Sequence, residues 1–310
     1  MKKSATLRDV GEDALIKRLI ADAPLGADVV AGAGDDCAVV KGVGRGELCL
    51  LKTDAIVEGV HFESSSAPRL VGRKALARVL SDVAAMGGRP GQALVTLILP
   101  PETEIAWVEA VYAGLYQLAR QHGVSVVGGE TTRGKERMLS VALTGVVAAK
   151  KWVARGGGRL GDVLLVTGKL GGSIGGRHLT FEPRLEQGQW LVAHFPIHAM
   201  MDISDGLAKD LPRLAGGAGL GFRVDWDRLP RHRGCSVEQA WGDGEDYELL
   251  MAVPKRSLKR LQAEWGKRFP RVALTAIGEL VEAEASEGGA AGGWDPFVKP
   301  SASAARGGGL

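Results

Sequence analysis

Acidic side chains occur at turns and at the ends of predicted elements along much of this chain, next to glycine, serine or threonine. Short acids in such places are hard to explain as parts of a solvated helix face. They are Asp35, Asp36, Asp54, Asp82, Glu130, Asp202, Asp205, Glu245 and Asp246. Mg²⁺ takes oxygen ligands and commonly bridges carboxylates to substrate phosphates. Carboxylates from several separate segments are therefore what a nucleotide-phosphate site requires.

A purely structural role remains open for some of these acids. Asp35, Asp36 and Asp205 are equally suited to cap helices or to form Asx turns. Asp82 differs, because it follows apolar residues at helical spacing, and an acid beside a core-facing stripe needs a partner. No Walker loop of the form GxxxxGK[ST] is present, nor a GxSxG or HExxH motif. Phosphate binding must then come from another arrangement.

Composition narrows the class of protein. A chain of 310 residues with 45% hydrophobic side chains can form two medium-sized domains and is too apolar to be disordered. The formal charge of +3 gives no footprint for nucleic acid. The cysteines Cys37, Cys49 and Cys235 form no CxxC pair, which favours a reducing compartment. With no apolar segment of signal-peptide or membrane-spanning length, we expect a cytoplasmic protein that binds no membrane.

Helical and strand patterns alternate in both halves of the chain. The basic, glycine-rich segment KKWVARGGGRLGD at residues 150–162 lacks apolar periodicity and predicts the domain boundary. We expect an N-terminal domain over residues 1–150 and a C-terminal α/β domain with a flexible tail over 151–310. Predicted strands cover residues 37–40, 48–57, 93–99, 124–127, 139–149, 163–167, 200–203, 221–224, 247–253 and 272–277. Predicted helices cover residues 10–21, 71–86, 102–122, 206–215, 237–241 and 255–269.

Six motifs, in their order along residues 30–255, resemble those of the thiamine-monophosphate kinase family. They are AGAGDDCAVV, KTDAIVEGVHF, GRKALARVLSDVAAMGGRP, GGETTRG, MDISDGLAKDL and GEDYELL, with a weaker match in GGWDPF. The same motifs mark the wider superfamily that includes aminoimidazole ribonucleotide synthetase. The resemblance implies an α+β or mixed α/β, two-domain aminoimidazole ribonucleotide synthetase-like fold. It also implies a homodimer joined through the N-terminal sheet, with ATP in a cleft near the interface.

The resemblance also implies roles for particular residues. The implied Mg²⁺ ligands are Asp35, Thr53, Asp54, Asp82, Glu130, Asp202 and Asp205. The residues implied to lie against ATP are Tyr112, Gly129, Glu130, Arg155 and Ser204. Those implied to contact thiamine monophosphate are His61, Glu245 and Trp294. No general base is evident, and none is needed if the acceptor is a phosphate monoester, whose second pKa near ~6 leaves it ionised at neutral pH.

Several of these residues have an alternative interpretation. His61 could be a hydrogen-bonded loop histidine, and Arg155 lies in a basic linker where a solvated arginine is the ordinary case. Trp294 could anchor its glycine-rich loop instead of stacking on a substrate. Tyr112, on an apolar helix, fits a core position by pattern alone.

Two residues depart from the family pattern. Glu130 stands where the family has aspartate, and its extra methylene moves the carboxylate outward. Lys52 precedes Thr53 where the family usually has a small hydroxyl residue, and on a regular strand it would share a face with Asp54. Its ammonium would then either pair with Asp54 or an ATP phosphate, or turn into solvent.

The expected activity is ATP-dependent phosphorylation of thiamine monophosphate to thiamine diphosphate with Mg²⁺. Two alternatives stay open. One is a related ATP-dependent enzyme with a different acceptor. The other is a homologue that binds nucleotide or thiamine diphosphate without turnover, which Lys52 and Glu130 would explain.

Overall fold

The structure, a computed structural model, describes residues 12–17, 25–32, 34–42, 44–286 and 292–297. Residues 12–17 are helical, within the segment 10–21 predicted as the N-terminal helix. Most of the predicted flexible tail, at residues 287–291 and 298–310, lies outside the described residues. Among those described, no helix combines the length and the apolar character needed to cross a membrane.

The first sheet contains six strands. They are β1 Val29–Ala31, β2 Ala38–Lys41, β3 Glu47–Val57, β4 Arg89–Leu99, β5 Ser125–Arg133 and β6 Met138–Ala148. Their order across the sheet is β1-β2-β3-β6-β4-β5. β4 and β5 run parallel, whereas the other neighbouring strands are antiparallel. Strand β1 was not predicted, and β5 extends six residues past its predicted end through a segment rich in glycine and threonine.

One face of this sheet is covered and the other is open. On β3, Leu48, Leu50 and Ile56 point to the covered face and are buried, as the period-2 alternation predicts. The helices α1 Pro68–Ala85 and α2 Ile105–His122 pack against each other, and α1 packs on β3 and β6. On the open face, Leu51 is 43% exposed.

The second sheet contains five antiparallel strands. They are β7 Val163–Thr167, β8 Ala199–Asp202, β9 Gly221–Val224, β10 Leu249–Val253 and β11 Leu274–Val281, in the order β8-β10-β7-β11-β9. The helices of this half are α3 Leu185–His194, α4 Leu207–Gly217, α5 Val237–Gly242 and α6 Leu258–Arg268. Helix α3 was not predicted from the sequence, although its buried residues Leu185, Gly188, Leu191 and Val192 recur at helical spacing.

Helix α1 connects the two halves of the molecule. Thirteen of its 18 residues are buried, so solvent reaches little of its surface. Besides the first sheet it contacts α3 and β8, and one hydrophobic core contains both Val83 of α1 and Met200 of β8. Any polar side chain on α1 must therefore find a partner inside the protein.

Two glycines allow α1 and α2 to approach closely. A Cβ on Gly72 of α1 would lie 1.9 Å from the carbonyl oxygen of Val111, and one on Gly114 of α2 would lie 1.8 Å from that of Arg69. Both atoms that would be struck belong to the backbone, so neither clash can be relieved by a side-chain rotation. The close packing that fixes α1 therefore requires glycine at both positions.

We expect Gly114→Ala to lower the free energy of unfolding by about 2 kcal/mol or more, because the helices must separate to admit the methyl group. Urea denaturation measures this change. The matched control is Gly266→Ala in α6, where no atom lies within 4 Å of the added Cβ. That substitution should raise the free energy of unfolding by about 0.5–1 kcal/mol, since glycine is unfavourable inside a helix. Equal stability of Gly114→Ala and the original protein would contradict the close-packing argument.

Candidate active site

Three buried carboxylates from separate elements meet where the two halves of the molecule join. Asp36 lies in the loop before β2, Asp82 near the end of α1, and Asp202 at the end of β8. One carboxylate oxygen from each lies within 4.8 Å of the others, and all three residues are buried. Ser81 donates a hydrogen bond to Asp202 Oδ2 at 2.6 Å. We call these three residues the acid cluster.

The protonation chemistry of the acid cluster indicates that it needs a cation. Burial raises the pKa of Asp202 to about 7, and the neighbouring Asp36 adds to this rise. Burial likewise raises the pKa of Asp82. The buried oxygen Asp36 Oδ2 has no hydrogen-bond partner within the protein. A hard divalent cation would supply the missing interaction and neutralise the repulsion, so these oxygens fit the Mg²⁺ that the resemblance implies.

Positive side chains border the acid cluster. Lys52 Nζ lies 2.8 Å from Asp82 Oδ1 and 3.7 Å from Asp54 Oδ1. This confirms that Lys52 and Asp54 project from β3 to the same face, and it decides between the two positions considered for Lys52. Arg78 of α1 places its Nε 3.4 Å from Asp54 Oδ2. Asp54 thus shares its negative charge with two cations at the edge of the cluster.

The segment around Arg155 is fixed by the Asp35-Asp36 pair. The backbone N–H of Arg155 donates to Asp35 Oδ1 at 2.5 Å, and its guanidinium donates to Asp36 Oδ1 at 2.5 Å. Arg155 is therefore held next to the acid cluster and is not a freely solvated linker arginine. The adjacent aspartates divide the work: Asp36 enters the cluster, while Asp35 holds the backbone of the interdomain segment.

The loop between β8 and α4 is organised by Asp210, which the sequence analysis did not single out. The Asp210 Oδ2 atom accepts hydrogen bonds from the backbone N–H groups of Ser204 and Asp205, each at 3.0 Å. Arg213 Nη1 lies 2.7 Å from Asp205 Oδ2 and 2.9 Å from Asp210 Oδ1. The signal was present in the sequence, since Asp210 follows the DISDG turn inside the first turn of a helix, where side chains accept from preceding N–H groups.

The three residues implied to contact the acceptor lie together. The rings of His61 and Trp294 meet edge to face with their centroids 5.6 Å apart. Lys74 of α1, fully buried, donates to the carbonyl oxygen of His61 at 2.6 Å and pairs with the carboxylate of Glu245. The ring of His178 also contacts Lys74, at 2.7 Å from its Nζ. His61, Glu245 and Trp294, with Lys74, are called the acceptor group below.

Burial and neighbouring charges shift the pKa values of the acceptor group. Burial opposes ionisation of Glu245, but a hydrogen bond with His178 and the charges of Lys74 and Arg78 lower its pKa to about 2. Burial lowers the pKa of Lys74 to about 8, although Glu245 favours the charged form. Burial, with the nearby positive Arg78, lowers the pKa of His61 to about 4, so its imidazole is neutral. The group therefore presents a carboxylate, an ammonium and a neutral ring.

The loop that carries Glu245 has an unusual backbone. Glu245 and Tyr247 have φ angles of 57° and 52°, in the left-handed region that side-chain-bearing residues seldom occupy. The Glu245 N–H donates to the Ser204 carbonyl at 2.6 Å, and the hydroxyl of Tyr247 donates to Glu245 Oε1 at 3.1 Å. The first bond joins the strained loop to the DISDG turn, and the second joins two residues within the loop. Strain kept in this way is common where side chains must be aimed at a ligand.

Four residues of the implied ATP and metal site lie away from the acid cluster. Thr53 points to the open face of the first sheet, where its Oγ1 lies 3.4 Å from Ser140 Oγ. Glu130 is exposed on β5 and accepts a hydrogen bond from the N–H of Thr131 at 2.9 Å. Gly129 lets β5 pass beside β4, since a Cβ there would lie 1.8 Å from the Val95 carbonyl oxygen. Tyr112 packs its ring against Tyr116 at 5.2 Å, partly buried at the core.

Within a single chain, the open-face residues do not join the acid cluster. Thr53 on β3 and Glu130 on β5 are separated by β6 and β4, which corresponds to about 14 Å at ~4.8 Å per strand. Their implied roles therefore stay predictions.

Comparisons with known proteins identify the class. Residues 34–147 match the family described as AIR synthase related protein, N-terminal domain, and residues 159–289 match AIR synthase related protein, C-terminal domain. The two halves of the chain are thus those of a two-domain AIR synthase related protein. The mixed α/β fold that the motifs implied is confirmed.

More specific relatives are known. Thiamine-monophosphate kinase from Rhodopirellula baltica is 35% identical over 274 residues, which cover 82% of this chain and 84% of the relative. The protein of the same name from Salmonella typhimurium is 34% identical over 282 residues, covering 82% and 85%. The chain belongs to the thiamine-monophosphate kinase family.

Solved structures agree. AaThiL complexed with AMPPCP and TMP matches with a TM-score of 0.80 and 30% sequence identity, covering 95% of this chain and 99% of that one. Thiamine-monophosphate kinase from Stenotrophomonas maltophilia matches with a TM-score of 0.71 and 32% identity, covering 86% and 93%. E. coli HypE, at 21% identity and a TM-score of 0.65 over 76% of this chain and 80% of that one, shares the fold.

We expect Lys74→Met to lower the free energy of unfolding by about 3 kcal/mol, because it leaves the carboxylate of Glu245 without its buried partner. Chemical denaturation without ligands measures the loss. The double variant Lys74→Met/Glu245→Gln should recover most of it, since the unpaired charge is then gone. Lys259→Met on the exposed side of α6 is the control and should change stability little. A double variant no more stable than Lys74→Met alone would show that the pair is not coupled.

Proposed function

We propose that this chain transfers the terminal phosphoryl group of ATP to the phosphate of thiamine monophosphate, giving thiamine diphosphate and ADP, with Mg²⁺. Family membership supports this activity, and so does the match to AaThiL complexed with AMPPCP and TMP. The site must then hold two anionic phosphate groups in line and neutralise their charge. The arrangement of side chains on α1 is suited to that task.

The observation that carries the proposal is a stripe of polar residues on the buried helix α1. Lys74, Arg78 and Asp82 are four residues apart, so they share one face of the helix. The stripe is about 12 Å long at 1.5 Å per residue. Lys74 contacts the acceptor group at one end, and Asp82 belongs to the acid cluster at the other. A phosphate acceptor bound at the first end would direct its phosphate towards the second.

The proposed phosphoryl transfer needs no general base. Mg²⁺ bound by oxygens of the acid cluster and its neighbours would neutralise the phosphate charges and stabilise the loose in-line transition state. Arg78 lies in the middle of the stripe and pairs with Asp54 of β3. It adds positive charge between the two ends of the stripe. The acceptor phosphate is itself an ionised nucleophile, so positioning and charge neutralisation are the contributions that the protein makes.

The acceptor group suits a flat, positively charged heterocycle. The Trp294 ring can lie against an aromatic or cationic ring, and a thiazolium carries a permanent positive charge. Trp294 is positioned for this, because its backbone N–H donates to the Asp205 carbonyl at 2.9 Å and its own carbonyl accepts from Lys209 at 2.9 Å. The ionised carboxylate of Glu245 is close by to complement the positive charge. We therefore assign His61, Glu245 and Trp294 to thiamine monophosphate.

For ATP and Mg²⁺ we keep the assignments that the family resemblance implies. Arg155 and Ser204, next to the acid cluster, and Tyr112, Gly129 and Glu130, along the first domain, would lie against ATP. The proposed metal ligands are Asp35, Thr53, Asp54, Asp82, Glu130, Asp202 and Asp205, and the geometry adds Asp36 to them.

We further propose a homodimer formed through the open face of the first sheet. Leu51, Leu94 and Val127 on β3, β4 and β5 are 43%, 49% and 60% exposed, which is unusual for large apolar residues on one face of a sheet. Covering this face with a second copy would bury them and place Thr53 at the interface. The division at residues 150 and 151 and a cytoplasmic location complete the proposal, the latter supported by the free thiols of Cys37, Cys49 and Cys235.

The proposed activity is tested by ADP release from ATP with thiamine monophosphate, with and without Mg²⁺. We expect release only when both are present, together with thiamine diphosphate as product. Turnover with another phosphorylated heterocycle but not with thiamine monophosphate would favour the different-acceptor alternative. Nucleotide binding without any turnover would favour the binding-protein alternative, which Lys52 and Glu130 motivate.

We expect Asp54→Asn to lower kcat about 10²–10³-fold, since it removes one charged group from the phosphate-neutralising site. Steady-state ADP release at limiting Mg²⁺ measures the loss, and circular dichroism checks the fold. The control is Asp227→Asn, an exposed aspartate of the second domain, which should turn over at the original rate. Near-original turnover of Asp54→Asn would assign Asp54 a structural role.

We expect Leu94→Asp to convert the dimer into a monomer, because it puts a charge among the exposed apolar residues of the open face. Light scattering at micromolar concentration measures the mass. Ile105→Asp is the matched control, since Ile105 is 73% exposed at the start of α2, on the covered side of the sheet. If the original protein is a monomer, or if Leu94→Asp stays a dimer, the proposed interface is wrong.

A further inference from the structure

An ammonium group lies at the edge of the acid cluster, against Asp82. Lys52 extends from the face of β3 that is directed at α1, and its Nζ lies 2.8 Å from Asp82 Oδ1 and 3.7 Å from Asp54 Oδ1. Its side chain is 21% exposed. The register of β3 fixes this direction, because Leu50 and Ile56 on the same face are in the core. The strand register therefore directs the Lys52 side chain towards the same face as these core residues.

The charges around the cluster show what Lys52 does there. Asp36 has the guanidinium of Arg155, and Asp54 has Arg78. Asp82 has Lys52 as its cation among the residues that the structure describes. Asp202 is held by the hydroxyl of Ser81, and Asp36 Oδ2 remains buried without a partner. Part of the cluster is thus already neutralised by the protein, and part is still open to a ligand.

We propose that the Lys52 ammonium takes the place of one divalent cation in the acid cluster, so that this chain binds one ion fewer than it would with a small uncharged residue at position 52. The inference builds on the metal-binding role proposed above. A lysine ammonium is a compact point charge that can sit between two carboxylates. It also excludes an ion from that position, both by its volume and by like-charge repulsion. The remaining oxygens, on Asp36 and Asp202, stay available for exchangeable ions.

The number of bound ions tests the proposal independently of turnover. The full chain is titrated with Mn²⁺, free ion is counted by electron paramagnetic resonance, and Lys52→Thr is compared with the original protein. We expect one additional Mn²⁺ per chain in Lys52→Thr. Lys41→Thr is the matched control: this lysine on β2 of the same sheet donates to the Ala27 carbonyl at the surface, and its loss should leave the count unchanged.

Thermal unfolding gives a second readout. In EDTA, Lys52→Thr should unfold several degrees below the original protein, because the buried carboxylates lose their fixed cation. Mg²⁺ should then raise its unfolding temperature by more than it raises that of the original protein, as expected for an additional bound ion. Lys52→Met, which keeps most of the stem but not the charge, should show the same loss in EDTA. It separates the effect of charge from that of a cavity.

Equal Mn²⁺ counts for the original protein and both variants, or unchanged unfolding temperatures in EDTA, would overturn the proposal. So would the absence of any bound Mn²⁺ in all three proteins. If the counts differ as expected but no protein phosphorylates thiamine monophosphate, the Lys52 inference stands and the proposed function fails. If the Mn²⁺ counts are equal while turnover of thiamine monophosphate is normal, the proposed function stands and the Lys52 inference fails.

Discussion

Repulsion among buried carboxylates is the constraint on which the rest of this structure depends. Asp36, Asp82 and Asp202 come from a loop, a helix and a strand that belong to different halves of the chain, and they meet away from water. Without compensation, their like charges would repel each other and destabilise the contact between the two halves. The same charges favour the binding of cations. Fixed side-chain cations reduce the repulsion to a level that the hydrophobic core can offset. The site is therefore stable enough to form and still short of positive charge, which is what a site for Mg²⁺ and phosphates needs.

The hydrophobic core offsets this repulsion by packing around helix α1, which carries Asp82. Most helices at a domain junction would expose one face, but α1 is enclosed by the first sheet, α2, α3 and β8. Its buried charged residues are consequently paired, and the glycine contacts bring the backbones of α1 and α2 close together. A stripe of charges on a tightly packed helix is a good support for phosphate transfer, because side chains held by packing lose little freedom when the ligands bind. The requirement to bury α1 and the requirement to position the site are met by the same contacts.

Much of this could be predicted from the sequence, and the failures have physical causes. The period-2 pattern placed Lys52 and Asp54 on one face of β3, because alternation is local and strict. The resemblance implied Asp35 as a metal ligand, whereas the structure brings its neighbour Asp36 into the acid cluster. Adjacent residues on a loop point in different directions that depend on the rest of the fold. The partners of the acids could not be predicted either, because they are distant in sequence: Arg155 and Asp36 are 119 positions apart. Helix α3 was missed although Leu185, Leu191 and Val192 follow a helical pattern, because at 10 residues it is shorter than the window in which such periodicity is informative.

A fixed ammonium and a bound ion are not equivalent solutions to the same repulsion. The lysine is present at every Mg²⁺ concentration, so it stabilises the empty site, but it carries one charge and offers no open coordination position to a phosphate. A divalent ion neutralises twice the charge and can bridge to the substrate, but it must be bound each time. An acid cluster with one lysine therefore has less positive charge next to the phosphates than a cluster with one more divalent ion. Its carboxylates, however, are already held together before the ligands bind. In this chain the lysine pairs with Asp82 and Asp54, while Asp202 and the unpartnered oxygen of Asp36 keep the remaining negative charge for exchangeable ions.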